Sequence, residues 1–126
     1  MNVKIDTKEK FIIITLKEPH ISANMTERLE KLLKGQLLNK IPHLVLNMKP
    51  VEQISKESAN ILAILQQEFY DKNVSFVICE LQDGPEKLLD EMEILEFMNV
   101  TPTESEAWDI VQMEEIEREL LNDFEE

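Results

Sequence analysis

HLVLNMKPVEQISKESANILAIL, residues 43–65, predicts a strand, a polar turn and a helix in direct succession. The run HLVLNM at residues 43–48 has the unbroken apolar centre that is typical of a strand covered on both faces. Beyond the turn, apolar residues recur at helical spacing, which predicts a helix over about residues 57–70. The side chains predicted to face inward are Ile61, Leu62, Ile64, Leu65 and Phe69.

The N-terminal flank of this stretch predicts a β-hairpin and a helix. Val3 and Ile5 alternate with polar neighbours, as in a half-buried strand, and FIIITL at residues 11–16 is a continuous β-branched run. Leucines then recur at helical spacing through SANMTERLEKLLKGQLLNK, residues 22–40, and Pro42 ends that unit.

The C-terminal flank predicts two more strands and two more helices. NVSFVICEL (residues 73–81) and EFMNVTP (residues 96–102) contain the strands, and PEKLLDEM (residues 85–92) predicts a short helix that starts at its proline. Thr103 and Glu106 form a capping-box pattern that opens a long C-terminal helix. The element order therefore predicts an α/β fold with a mixed sheet, mostly parallel with an antiparallel N-terminal hairpin, flanked by about four helices.

Length and composition are typical of one folded domain. The chain has 126 residues, of which 43% are hydrophobic. No run approaches the ~20 apolar residues needed to cross a membrane, and the charged N-terminus has no signal-peptide pattern. The single cysteine, Cys79, cannot form an internal disulfide, which fits a reducing compartment. These features predict a cytoplasmic protein with no membrane association.

The net charge of −13 is concentrated toward the C-terminus. Residues 1–72 carry 11 Lys or Arg against 9 Asp or Glu, residues 73–102 carry 1 against 7, and residues 103–126 carry 1 against 10. A protein that binds nucleic acid needs a basic surface, and the sequence has no basic stripe. Nucleic acid is therefore not predicted as a partner.

The sequence offers little for catalysis. Gly35 and Gly84 are the only glycines, so there is no glycine-rich phosphate loop, and no GxSxG motif is present. His20 and His43 lie far apart without cysteine or carboxylate at ligand spacing. His43 and Cys79 are interpreted as structural residues. The sequence predicts no enzyme, no catalytic residue, no metal site and no cofactor.

The polar turn formed by Ser55, Lys56, Glu57 and Ser58 is the candidate site. Turns at the carboxyl ends of strands in α/β sheets are where ligands and partners bind. A helix N-terminus there favours an anion, so a phosphorylated serine would be stabilised. The simpler interpretation is an ordinary capped helix, with Ser55 as the N-cap and Ser58 three residues beyond it.

Three segments together carry a family resemblance. LVLNMKPVEQIS (residues 44–55) has the pattern of a third strand and its loop, and ISANM (residues 21–25) places Asn24 at the start of a first helix. KLLDEMEILEFMNVTPTESEAW (residues 87–108) has a matching closing pattern. Over roughly residues 3–112 the chain resembles the STAS domain, the family of bacterial anti-sigma factor antagonists and sulfate-transporter tails. The slots of the closing pattern are filled by Ile94, Phe97, Thr103, Glu106 and Ala107.

The resemblance implies that this chain departs from the family's switch motif. Family members carry Asp-Ser-Ser/Thr-Gly before the second helix, and the second hydroxyl residue accepts phosphate from a partner kinase that is also an anti-sigma factor. Aligned without gaps, Ser55 falls on the aspartate, Glu57 on the phosphoacceptor and Ser58 on the glycine. Glu57 would then carry one permanent negative charge, whereas phosphoserine carries about −1.5 to −2. A one-residue shift would make Ser58 the acceptor.

Three functions therefore stay open. The first is a non-catalytic protein–protein interaction module. It would be an anti-sigma factor antagonist that binds a kinase of the GHKL type, with Glu57 at the phosphoacceptor position. The second keeps a phosphorylation switch at Ser58 or Ser55. The third is the binding of a small ligand, a nucleotide or a lipid, at the same turn, which the scarcity of glycine disfavours.

The apolar pattern of the C-terminal helix changes along its length. This change predicts a division of the chain into a STAS-like domain, residues 1–112, and an acidic helical extension, residues 113–126. The apolar residues expected to dock on the sheet are Ala107, Ile110 and Val111. A second apolar set lies on a face rotated by roughly 130°: Met113, Ile116, Leu120 and Phe124. The extension is interpreted either as a frayed helix end or as a surface that contacts its own domain, a partner or a second copy in a homodimer.

Overall fold

A five-stranded mixed sheet forms the centre of the molecule. The computed structural model describes the backbone of residues 1–125 and the side chains of residues 1–122. The strands in chain order are β1 (Val3–Thr7), β2 (Ile12–Leu16), β3 (His20–Ile21), β4 (Leu44–Asn47), β5 (Gln53–Ile54), β6 (Phe76–Cys79) and β7 (Val100–Thr101). The sheet has the order β1-β2-β4-β6-β7, and within it only β1 and β2 pair antiparallel. The strands β3 and β5 form a separate parallel pair.

Helices cover both faces of the sheet because its central strands are apolar on both sides. Along β2, Ile12 and Ile14 point into the core beneath the first three helices, whereas Ile13 points to the opposite face, where the fourth helix packs. None of the helices described is both long and apolar enough to span a membrane. The helices are α1 (Thr26–Lys34), α2 (Lys56–Asp71), α3 (Asp83–Glu91) and α4 (Glu104–Glu125), with 3-10 turns at Ala23–Met25, Gly35–Leu38 and Leu95–Phe97.

The structure confirms the predicted fold class and element order, and it corrects three details. Ile64 was predicted to face inward but is 51% exposed, because two residues of helical rotation place it on the opposite side of α2 from buried Leu62. The helix α3 begins at Asp83, so Pro85 is its third residue rather than its first. The two-residue pair β3–β5 was not predicted.

The helix α4 is continuous across residues 112 and 113, but its packing changes there. Ala107 and Val111 are fully buried against the sheet, and Ile110 is partly buried beside them. The second apolar set is more than half exposed in its described members, which are Met113, Ile116 and Leu120. The side chain of Phe124 lies outside the described residues. The division of the chain into residues 1–112 and 113–126 stays a prediction.

Candidate functional site

Ser55 begins α2 by capping it. Its backbone is extended, and its side-chain Oγ accepts a hydrogen bond from the Ser58 N–H at 3.1 Å. This bond satisfies one of the N–H groups that a helix leaves free at its N-terminus. The N-cap interpretation of Ser55 is therefore correct.

Ser58 lies beneath this cap and is fully buried. Its Oγ is 2.8 Å from the Thr26 Oγ1 at the start of α1, and it also donates to the Ser22 carbonyl oxygen at 3.4 Å. These contacts tie the first turn of α2 to the first turn of α1. Added atoms on the Ser58 hydroxyl would have to separate the two helices.

The connection between β4 and α2 is attached on two sides. On one side, the N–H groups of Glu52 and Gln53 donate to the Pro19 carbonyl at 2.8 and 3.1 Å, and the Ser55 N–H donates to the Ile21 carbonyl at 2.8 Å. On the other side, a Cβ atom at Gly84 would lie 2.5 Å from the Glu52 carbonyl oxygen. Only glycine allows this approach of α3 to the connection.

Two of the four predicted site residues are exposed. Lys56 and Glu57 occupy the first turn of α2 in contact with solvent, whereas Ser55 is half-buried and Ser58 is buried. Glu57 lies at the positive end of the helix dipole, which stabilises its negative charge. The turn therefore presents an adjacent cation and anion on a backbone fixed by hydrogen bonds, which suits recognition by a protein surface.

A second polar cluster lies at the carboxyl edge of the sheet, and sequence patterns did not reveal it. Glu80 has a positive φ of 59°, and its Oε2 accepts from the Glu104 N–H at 2.8 Å, so it caps α4. Asn47 Nδ2 in turn donates to Glu104 Oε1 at 3.1 Å. Burial, and then the charges of Glu104 and Glu80, raise the pKa of the Cys79 thiol to about 12, so the thiol stays protonated at neutral pH.

The two histidines lie in separate parts of the fold, His43 just before β4 and His20 on β3. His43 Nδ1 accepts from the Ser75 N–H at 3.1 Å, and burial, followed by the charge of Arg118, lowers the pKa of His43 below its usual value despite the opposing charge of Glu115. His20 is exposed on β3. Within the part of the chain that the structure describes, no group of three or more His, Cys, Asp or Glu side chains is placed to hold a metal ion.

The sheet order and its helical layers define a mixed α/β domain, and comparison gives its family. The family model described as the STAS domain matches residues 2–107. The chain therefore belongs to the STAS domain family. No curated protein sequence matches the chain significantly.

Solved structures share the fold at low sequence identity. An anti-sigma factor antagonist from Mycobacterium paratuberculosis superposes with a TM-score of 0.76 at 16% identity, over 88% of this chain and 93% of that one. A serine-to-glutamate variant of RsbS from Moorella thermoacetica gives a TM-score of 0.71 at 16% identity, over 89% and 96%. The murine anion transporter Slc26a9 gives 0.64 at 16% identity, over 82% of this chain but only 18% of the transporter. The fold is thus shared by free-standing domains and by a domain of a larger membrane protein.

Proposed function

We propose that this STAS domain is a non-catalytic cytoplasmic protein–protein interaction module of the anti-sigma factor antagonist kind, in which Glu57 permanently occupies the phosphoacceptor place. Its partner would be an anti-sigma factor kinase of the GHKL type, and its role would lie in bacterial signalling and transcription regulation. The observation that carries the proposal is the exposure of Glu57 and Lys56 on the rigid first turn of α2.

The environment of the two serines favours an unswitched module over a phosphorylation switch. Phosphate on Ser58 would need room that the contacts with Thr26 and Ser22 occupy. Ser55 is half-buried and its Oγ is held by the Ser58 N–H, so a kinase would have to break this bond to reach the hydroxyl. Glu57 has neither constraint, because its side chain is exposed.

The similarity to the RsbS variant supports the same interpretation. That protein carries glutamate in place of a serine, and it retains a fold similar to this one. A glutamate at position 57 would supply a fixed charge smaller than the roughly −1.5 to −2 of phosphoserine. The module would therefore hold one binding state, intermediate in charge between the unmodified and phosphorylated states of a switchable relative.

The test is capture of partners from native lysate on wild type and on Glu57→Ser, followed by incubation with ATP and mass spectrometry of the bait. Both baits should retain the same GHKL-type ATPase, and phosphate should appear only at position 57 of the variant. Glu96→Ser is the matched control, because Glu96 is an exposed glutamate in the turn before β7, away from α2's first turn. It should retain the ATPase and gain no phosphate.

Other results would replace the proposal with one of its alternatives. Phosphate on Ser55 or Ser58 of the wild type would show that the switch is kept. Saturable binding of a nucleotide or lipid that competes with the protein partner would show a ligand-binding domain. Failure of every bait to retain a GHKL-type ATPase would reject the anti-sigma factor antagonist assignment.

A further inference from the structure

The second half of α4 presents an apolar stripe to solvent. Met113, Ile116 and Leu120 are each more than half exposed, although they are large hydrophobic side chains. Their spacing of three and then four residues is that of a, d and a positions in a coiled coil. The stripe is about 10 Å long, from ~1.5 Å per residue, so about two turns of another helix can pack along it.

Carboxylates flank the stripe on both sides. In the heptad that makes Met113 an a position, Glu117 is an e position and Glu119 is a g position. Neither forms an ion pair with another described residue. Arg118, the only cation in residues 103–126, instead turns toward the sheet, where its Nη2 donates to the Ser75 Oγ at 3.1 Å.

We propose that this stripe, defined by Met113, Ile116 and Leu120, binds an amphipathic helix of a partner protein whose flanking positions carry Lys or Arg. Apolar residues at the a and d positions would supply the contact area, and the charges at e and g select the partner. Lys8 and Lys10 line the same pocket as Ile116 and Glu119, but the e and g positions themselves both carry carboxylates. The complementary helix is therefore basic at the positions that face Glu117 and Glu119. The proposal concerns a surface separate from the turn at residues 55–58 and does not rest on the function of that turn.

Charge also argues against a second copy of this chain as the occupant. Pairing two α4 helices would bring together two segments that each carry 10 acidic residues against 1 basic residue. Like charges placed across an interface oppose association. The homodimer predicted from the sequence is therefore the competing occupant, and the experiment separates the two.

The experiment titrates the full chain with a synthetic 21-residue helical peptide that has leucine at a and d and lysine at e and g. A peptide with glutamate at e and g is its matched control. Fluorescence anisotropy of the labelled peptides should show the lysine peptide binding at least about 10-fold more tightly at 0.05 M salt, and the difference should shrink at 0.5 M salt because screening weakens charge pairing.

Variants of the chain locate the contact. Ile116→Gln should weaken binding of the lysine peptide at least about 10-fold, whereas Ile64→Gln should leave it unchanged. Ile64 is a fair control because it is 51% exposed on α2, close to the 56% of Ile116. The double variant Glu117→Gln, Glu119→Gln should remove most of the salt dependence, and Glu91→Gln, Glu96→Gln on the α3 side should not.

Three results would overturn the proposal. The first is equal binding of the two peptides, and the second is no binding of the lysine peptide at about 100 μM. The third is self-association of the chain in sedimentation experiments that Ile116→Gln abolishes and Ile64→Gln does not, which would make a second copy the occupant. None of these results bears on capture of a kinase through Glu57, so the two proposals fail separately.

Discussion

The turn before α2 and the second half of α4 are both candidate binding surfaces, but they are built in opposite ways. In the turn, the hydroxyl groups of half-buried Ser55 and buried Ser58 fix the backbone, and the exposed side chains are charged. In α4, the backbone is a plain helix, and large apolar side chains are left in solvent. The turn can therefore recognise charge at a fixed position, whereas the helix can contribute apolar contact area. The comparison implies that changes to Ser55 or Ser58 alter stability, while changes to the exposed side chains of either surface alter binding with little effect on stability.

The largest expected effect tests the rigidity of the turn. Ser58→Asp should lower the free energy of unfolding by about 3 kcal/mol or more, because it places a charge in a fully buried site without a compensating partner. Glu57→Asp, at the exposed neighbouring position, should change it by less than about 0.5 kcal/mol. Urea denaturation measures both. A loss below about 1 kcal/mol for Ser58→Asp would mean that the turn can open to accept a phosphate-like group.

The next effect compares the two halves of α4. Val111→Ala should cost about 2 kcal/mol, because it removes buried methyl groups and leaves a cavity against the sheet. Ile116→Ala should cost less than about 0.5 kcal/mol, because Ile116 is 56% exposed. Thermal and urea unfolding of the two variants measure these changes in the free energy of unfolding. Similar losses would show that the stripe packs on this chain itself and is not a free surface.

A smaller effect concerns the cap on α2. Ser55→Ala should lower the free energy of unfolding by about 1 kcal/mol, since the Ser58 N–H loses its acceptor. Ser55→Asp is the control, because aspartate is an equally good N-cap and should restore most of the loss. An unchanged Ser55→Ala variant would contradict the role of the cap in holding the turn.

The smallest effect is a pH dependence that links α4 to the sheet through His43. Burial and Arg118 lower the pKa of His43 in the folded state, so below pH 6.5 the unfolded chain takes up a proton before the folded chain does. The contribution of His43 to stability is therefore present above pH 6.5 and is lost as the pH falls through the lowered folded-state pKa. Wild type should lose more stability than His43→Gln between pH 7.5 and 5.5 in urea titrations. Equal losses of stability in wild type and in His43→Gln would contradict a contribution of His43 to the pH dependence.

The sequence was sufficient to predict the sheet because the central strands are continuous apolar runs and the helices carry a clear hydrophobic period. The pair β3–β5 was missed because His20–Ile21 and Gln53–Ile54 are each two residues long and lie in segments with no apolar run, whereas the equally short β7 lies within the predicted segment EFMNVTP. In the candidate site, the cap by Ser55 was predictable because it is local, with donor and acceptor three residues apart. The contact between Ser58 and Thr26 was not, because it joins residues 32 positions apart. The cap that Glu80 gives α4 was also not predicted, because Glu80 and Glu104 are far apart in the sequence. This cap in addition requires a left-handed backbone conformation at a glutamate.

The double attachment of the connection before α2 also has a consequence for motion. Short strands at a surface usually exchange their amide protons quickly, because they open without disturbing the core. Here the amides of Glu52, Gln53 and Ser55 are bonded to the β3 side, while the Glu52 carbonyl lies against Gly84 of α3. Opening this segment breaks contacts on both of its sides. On the timescale of hydrogen exchange, we therefore expect the amides that support the exposed turn to exchange more slowly than those of the surface loops.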